Sequence, residues 1–162
     1  MAETLSVTSM LANKFEPKRK FRWIMQIEGI DAFLLKSAAR PSANTEAITI
    51  DWLNVKRYLA GKMEWQPISV VLHDAIAPSG AQQIWEWVRL SSETVSGRSG
   101  YADFYKRDIA LKLLDPLGTA VEHWDIKGAW ITECNMGELS YDSNDTADIT
   151  ISIKYDNAVL QW

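Results

Sequence analysis

The chain has 162 residues, 47% of them hydrophobic and 23% charged, with a formal net charge of −4 at neutral pH. This length suits one domain with a substantial core, and the composition is ordinary for a soluble globular protein. No apolar run is long enough to cross a membrane, and residues 1–13 lack the pattern of a secretion signal, so assembly in a cytoplasm is expected. The acidic balance argues against a protein that grips nucleic acid, though not against one that lets nucleic acid pass.

Two residue types narrow the problem further. Cys134 is the only cysteine, so it cannot form a disulfide within the chain; it is expected to be a small apolar filler near a strand end or, alternatively, an intersubunit contact. The eight tryptophans are more than one small core holds easily, and indole rings are enriched at the centres of protein interfaces. Subunit contacts are therefore a reasonable second place for them.

The first half of the chain indicates strands. Residues 1–16 are aperiodic and are interpreted as an N-terminal arm. Alternating patterns predict strands over residues 21–27 and 32–39. Residues 48–59 and 63–73 then form a predicted hairpin that turns at Ala60-Gly61, with Pro67 marking an edge or bulge in the return arm. In this interpretation Ile48, Ile50, Trp52, Asn54, Lys56 and Tyr58 share one face of the hairpin.

The second half contains one helix and three more strands. Ser79 followed by Gln82 has the spacing of a capping box, which predicts a helix that runs to Ser91. A loop over residues 93–106 leads to strands at 109–114, 120–130 and 147–155, the first two joined by an Asp-Pro-Leu-Gly turn. No internal repeat or linker divides the chain. The predicted organisation is an arm (1–16), one β domain (17–157) and a C-terminal tail (158–162).

Motifs for catalysis are nearly absent. The two histidines, His73 and His123, each lie within a strand pattern, and the chain has no nucleophile elbow, dinucleotide fingerprint or P-loop. The acidic run from Asp142 to Asp148 lacks the glycine and the final glutamate of a calcium loop. We therefore expect a protein that is not an enzyme and has no metal or cofactor site, with mainly antiparallel strands, one helix and sheet edges that need a partner.

Two blocks of sequence carry a resemblance to a known family. Residues 48–87 (ITIDWLNVKRYLAGKMEWQPISVVLHDAIAPSGAQQIWEW) contain a basic hairpin, an alternating strand and a helix with Trp85 and Trp87. Residues 125–145 (DIKGAWITECNMGELSYDSND) contain an I-K-G-x-W strand, a G-E-L turn and an Asp/Asn loop. In order and spacing these blocks resemble the tail-tube proteins of contractile-tailed phages, pyocins and related injection systems. Residues 93–106 and 158–162 match nothing in that pattern.

The resemblance implies a mainly β fold with one α-helix, an antiparallel sandwich or barrel of the tail-tube type. Members of the family form hexameric rings in which each subunit contributes strands to a pore-forming barrel, and the rings stack helically. The implied partners are a tail sheath, baseplate and tape-measure proteins, with DNA passing through the lumen without specific binding. The residues expected at contacts between rings or subunits are Asn54, Lys56, Arg57, Tyr58, Gly61, Lys62, Glu138, Asp142, Asn144 and Asp145, together with the N-terminal arm.

The lumen must avoid holding DNA, because every phosphate contact from Lys or Arg adds affinity. Polar faces of two strands are therefore predicted to line it, with Asp148, Thr150, Ser152 and Lys154 from one strand and Glu64, Gln66 and Asp74 from the other. Lys154 fits only if a carboxylate neutralises it. The alternative, in which these residues face the sheath or solvent, stays open.

Two other functions remain at this point. The first is a related tube, in a pyocin or bacterial contractile injection system or as the tube initiator at a baseplate. The second is a monomeric β-barrel that binds a small ligand in a pocket lined by tryptophans.

Overall fold

The computed structural model describes residues 15–162, and these form an antiparallel β domain with a long hairpin. The strands are β1 (Trp23–Ile27), β2 (Leu35–Ala38), β3 (Ser42–Trp52), β4 (Val55–Gln66), β5 (Ile68–His73), β6 (Arg107–Leu114), β7 (Ala120–Asn135), β8 (Asp148–Lys154) and β9 (Asn157–Leu160). The helices are α1 (Gly80–Ser91) and α2 (Ala102–Tyr105), and a 3-10 turn spans Ala32–Leu34. Residues 1–14 of the predicted arm lie outside the described residues.

Strand β7 connects two four-stranded layers. Its first half pairs with β6 and β9, and β6 pairs in turn with β1. Its second half pairs with β8, followed by β5 and β2. We call these the first and second sheets. Between the halves, Gly128 has φ +66, and a Cβ there would lie 2.2 Å from a carboxylate oxygen of Asp156, so glycine is required where the strand changes sheets.

The inner faces of both sheets form one core. Alternation along β8 buries Ile149, Ile151 and Ile153 and leaves the residues between them facing out. Ile126 of the first sheet and Ile84 of α1 are equally inaccessible to water. Burial of a large aliphatic side chain stabilises a fold by about 1.5–3 kcal/mol, so this cluster supplies most of the driving force. Cys134 packs against its edge, as the sequence predicted, and burial raises the pKa of its thiol.

The predicted helix is confirmed. The Ser79 hydroxyl accepts a hydrogen bond from the backbone N–H of Gln82, which satisfies one of the free donors of the first turn. Trp87 is fully buried, and its indole N–H donates to the Tyr105 carbonyl at 2.7 Å. The Arg107 guanidinium lies 4.9 Å from the centre of the Trp87 ring. Helix α1 is thereby fixed to both the core and α2.

The predicted hairpin turn at Ala60-Gly61 is wrong. Strands β3 and β4 are joined at Leu53 and Asn54, where Leu53 has φ +51. Gly61 lies within β4 beside a shift in register, and a Cβ there would lie 2.5 Å from the carbonyl oxygen of Glu46. Its glycine therefore permits a close approach of two backbones and does not form the turn.

The position of the turn also determines which residues share a face of the hairpin. Ile50 lies opposite Arg57 and Trp52 opposite Val55, whereas Tyr58 lies opposite Thr49. Because directly paired residues point to the same side, Lys56 and Tyr58 lie on the face opposite to Ile48, Ile50 and Trp52. The predicted common face is therefore wrong beyond the turn.

Four further segments differ from the predictions. The strand predicted at 32–39 begins with a 3-10 turn, and the loop at 93–106 contains α2. The predicted strand at 120–130 continues to Asn135, and residues within the predicted tail form β9 on the first sheet. The short β9 lacks a hydrophobic repeat long enough to be read from sequence. None of the helices in residues 15–162 is long and apolar enough to cross a membrane.

Candidate assembly surfaces

The outer side of the second sheet is a continuous polar surface. Thr150 and Ser152 of β8 point outward between Asn135 and Glu133 of β7 on one side and Val71 and Ser69 of β5 on the other. We call this surface the polar face, and it consists of Ser37, Ser69, Val71, His73, Glu133, Asn135, Asp148, Thr150, Ser152 and Lys154, with Lys36 at its margin. Small polar side chains dominate its centre, and charged side chains lie toward its edges.

Electrostatics on the polar face is largely balanced. The Lys36 ammonium lies 2.5 Å from one oxygen of Asp148, and His73 Nδ1 lies 3.4 Å from the other. The hydrogen bond from Lys36 holds the pKa of Asp148 below its ordinary value, so this carboxylate stays ionised. Lys154 lies opposite Trp130 and has no ion pair among residues 15–162, so the carboxylate expected to neutralise it is not found there.

The structure brings together only part of the predicted lumen set. Asp148, Thr150, Ser152 and Lys154 lie on the polar face as a group. Glu64 and Gln66 lie on β4 of the hairpin, and Asp74 accepts a hydrogen bond from the Ala81 N–H at the start of α1. The reason is Pro67, which separates β4 from β5, so the alternation of β4 does not continue into β5. Ser69 and His73 occupy the places beside β8 instead.

Two edges of the second sheet lack a strand partner in the described chain. Strand β2 pairs only with β5, and residues 131–135 of β7 pair only with β8. Both edges carry free backbone donors and acceptors, which a monomer exposes at some cost. The strands alternate in direction, so the two edges run opposite to each other. A second copy related by rotation can therefore continue the sheet in an antiparallel manner.

One side of the hairpin is mainly apolar and is not covered by any other part of residues 15–162. We call this surface the apolar hairpin face; it consists of Ile48, Ile50, Trp52, Val55 and Leu59, with Arg57 opposite Ile50 as its one charged residue. Trp52 is 67% exposed and Ile48 is 52% exposed. At its root the hairpin is held by Tyr155, whose ring lies 5.8 Å from that of Trp65 and whose hydroxyl reaches the Ser42 carbonyl. Contiguous exposed apolar surface of this kind marks an interaction site.

The sequence of this chain matches a known protein family. The family model for the T4-like virus tail tube protein gp19 matches residues 19–159, which is nearly all of the described chain. The chain belongs to this family. Tail tube protein gp19 of Enterobacteria phage T4 is 25% identical over 130 residues, covering 76% of this chain and 78% of the T4 protein. The tail tube protein of Serratia phage KSP90 is 23% identical, covering 74% and 68%.

Solved structures show the same fold. The tube-terminating cap of the anti-feeding prophage has a TM-score of 0.75 at 18% identity, covering 97% of this chain and 99% of the cap chain. A chain from the sheath/tube terminator of an extracellular contractile injection system has a TM-score of 0.74 at 17% identity, covering 93% and 100%. The family match makes the protein a structural tail-tube subunit. These structures confirm the mainly β, antiparallel fold of the tail-tube type, with two α-helices where one was predicted.

The predicted contact residues of this tail-tube subunit are distributed over two separate regions. Asn54 is in the hairpin turn, Lys56, Arg57, Tyr58 and Lys62 are exposed along β4, and Gly61 is partly covered. Glu138, Asp142, Asn144 and Asp145 are exposed in the loop between β7 and β8.

A buried carboxylate that the sequence did not indicate ties three segments together. Glu122 of β7 is only 6% exposed. It binds the Lys18 ammonium, lies 3.6 Å from Arg40 and accepts the Trp124 indole N–H at 2.6 Å. Burial would raise the pKa of Glu122, but these hydrogen bonds and positive charges outweigh it and lower the pKa. Because Arg40 directly precedes the hairpin, this cluster also fixes the hairpin root.

Proposed function

We propose that six copies of this subunit close into a ring in which the second sheets join into one barrel, and that stacked rings form the tube of a contractile tail. The observation that carries the proposal is the open second sheet, whose four strands end in two free edges of opposite direction. Ring closure pairs every free edge with an identical neighbour, which removes the exposed backbone groups. A monomeric binding barrel would instead be closed on itself.

The size of the resulting barrel suits a conduit. Four strands from each of six copies give about 24 strands, which at about 4.8 Å per strand form a circumference of at least about 115 Å. Barrels of about 16–18 strands already enclose an aqueous channel, and strand tilt widens the barrel further. The polar face then lines the lumen, since the opposite side of the sheet carries the core.

The character of the polar face supports passage of DNA without retention. Lys36 is neutralised by Asp148, and the centre of the face is uncharged. Each unpaired cation would instead add counterion-release affinity for phosphate, repeated in every copy along the tube. Outside the Lys36–Asp148 pair, the charges on the face are the cation Lys154 and the anion Glu133, so the net potential stays low.

The remaining surfaces define contacts outside the lumen. The apolar hairpin face supplies the axial contact between stacked rings, with the sheath around the outside and baseplate and tape-measure proteins at the tube ends. Assembly takes place in the host cytoplasm. A pyocin or injection-system tube would use the same surfaces, but the sequence relatives are phage tail tubes.

Cysteine cross-linking tests the ring directly. Ser37 and Glu133 lie on the polar face at the two free edges, and paired Cα atoms of neighbouring antiparallel strands are about 4.5–5.5 Å apart, within disulfide range. In a Cys134→Ala background, a chain with Ser37→Cys and Glu133→Cys, or Ser37→Cys and Asn135→Cys, is oxidised after assembly. We expect a ladder of covalent products that ends at six chains, because a closed ring has no free end.

The controls are each single cysteine variant, which cannot give products beyond a dimer. A ladder that continues past six would contradict a closed hexamer. An absence of cross-links in particles that form normally would show that these two edges do not meet.

A further inference from the structure

A groove opens between the two sheets at the edge where β1 and β2 lie. It has a volume of about 1080 Å³ and an apolar floor that includes Trp23 and Leu35, both packed against the core. Phe21 and Phe33 stand at its rim, 73% and 69% exposed. Aromatic rings left this open on a soluble domain indicate a surface that a partner covers.

The groove is also lined by basic side chains. Among residues 15–162, its lining contains Lys18, Arg19, Lys20, Lys36 and Arg40 and no acidic residue. Glu122 neutralises part of this charge from below, and Asp148 and Glu16 neutralise part at the margins. The cations still outnumber these carboxylates. A fitting partner therefore combines acidic groups with exposed apolar side chains.

Residues 136–147 of the same chain have this character. They carry three carboxylates, Glu138, Asp142 and Asp145, and no lysine or arginine. Leu139 is 92% exposed, and Tyr141 is fully exposed. Every residue of the segment faces solvent, and its side-chain hydrogen bonds are confined to its own turns. We call this segment the acidic loop.

The topology places the acidic loop of one copy beside the groove of the next. The loop begins where β7 ends at Asn135, on the free edge of the second sheet. The groove runs along β2, the other free edge. If these edges pair in an antiparallel ring, the end of β7 meets the start of β2, and Leu35 at that point lines the groove.

The distances are compatible with docking. A segment of 12 residues that leaves and returns to the sheet extends at most about 20 Å from it. Strand β2 has four residues and is about 13 Å long. The acidic loop is therefore long enough to follow the groove from Phe33 toward the basic residues near Arg40.

We infer that the acidic loop of one copy docks in the basic groove of its neighbour within the same ring. This inference rests on the proposed ring and goes beyond it, because pairing of sheet edges alone does not require the loop to bind. Leu139 and Tyr141 contact the apolar floor and rim, and the three carboxylates lie among the groove cations. The contact sets which faces of two copies meet, since opposite charges favour only this pairing.

Charge reversal tests this contact. One variant carries Arg19→Glu and Lys20→Glu, the second carries Glu138→Lys and Asp142→Lys, and the third carries all four substitutions. Each substituted residue is exposed, so folding is expected to stay intact, as circular dichroism would show. The measured quantity is the protein concentration at which rings and tubes form. Sedimentation and negative-stain microscopy determine it at several NaCl concentrations.

We expect each two-residue reversal to raise the required concentration at least about tenfold at low salt, and the four-residue variant to return it to within about threefold of wild type. The effect should shrink as salt screens the charges. Lys112→Glu, on the outer side of the first sheet, is the matched control and should assemble normally.

The outcomes separate this inference from the ring itself. If the reversals assemble like wild type while the edge cysteines still cross-link, the ring stands and the groove contact is wrong. If only the groove reversal fails, or if the combined variant is not rescued, another segment such as the hairpin occupies the groove and the inference is overturned. If the wild-type chain gives no rings and the edge-cysteine variants give no cross-links, the proposed function itself is wrong.

Discussion

Glu122 shows how one side chain can control the placement of two distant segments. The residues that meet there, Lys18 and Arg40, precede β1 and the hairpin respectively. A buried carboxylate is unfavourable unless it is paired, and here two cations and an indole N–H satisfy it. The cluster therefore restrains both segments without leaving an unpaired charge buried.

Replacement of Glu122 by glutamine should lower the free energy of unfolding by about 1–2 kcal/mol at neutral pH, a modest value because Lys18 and Arg40 remain in contact with water. The pKa of this group is lowered in the fold, so its contribution is present above the ordinary glutamate pKa of about 4.3 and is lost as pH falls through the folded pKa.

Urea unfolding of the unassembled protein measures both effects. The difference between wild type and Glu122→Gln should be largest near neutral pH and should vanish in strong acid. Glu138→Gln, at an exposed position, should unfold like wild type. A difference that stays constant with pH would mean that shape, and not charge, makes Glu122 important.

At the scale of elements, the hairpin is the least supported part of the domain. Nearly all residues of β3 and β4 are exposed, and the root is held mainly through Trp65, Tyr155 and the Arg40–Glu122 pair. An isolated two-stranded hairpin is marginally stable in water. We therefore expect the hairpin to become fully ordered when its apolar face contacts a neighbouring copy.

Ile50→Lys should prevent stacking of rings while leaving the unfolding free energy of the free subunit within about 0.5 kcal/mol of wild type, because Ile50 contributes little to the core of a single copy. Thr49→Lys places the same charge on the adjacent position of the opposite face and should assemble far better. Electron microscopy and thermal unfolding of both variants give the comparison. Equal loss of stacking in the two variants would show that the apolar face has no special role.

At the scale of the whole molecule, the two sides of the second sheet differ in character. The inner side builds the core of the subunit, while the outer side is left polar and nearly neutral. In the assembled tube, one surface would be repeated in every copy. If the polar face lines the lumen as proposed, a single substitution there is repeated along the whole tube.

Tubes carrying Thr150→Lys should retain short duplex DNA, whereas wild-type tubes should not, because each added cation contributes counterion-release affinity. Binding is measured by co-sedimentation, and the affinity should fall steeply with salt. Gln26→Lys adds the same charge to the outer side of the first sheet and serves as the control. Retention that is equal in both variants would place Thr150 outside the lumen.

Local chemistry in the sequence determined several elements by itself. The alternation of β8, the Ser79 cap of α1 and the turn before Gly118 were readable because each depends on side chains close together in the chain. The blocks at residues 48–87 and 125–145 acted differently, through their resemblance to the tail-tube family. That resemblance implied the tail-tube fold without any long-range contact.

Only the tertiary structure decided which residues meet. Glycine is found both in turns and where two strands approach closely. The sequence pattern therefore predicted a turn at Gly61, and with it the wrong register for the hairpin. Pro67 ended one strand and reset the alternation, which replaced Glu64 and Gln66 by Ser69 and His73 beside β8. Glu122 acquired its partners from residues far away in the chain, which no local pattern records. Pairing across such distances depends on the packing of whole sheets, and that packing is a property of the folded chain.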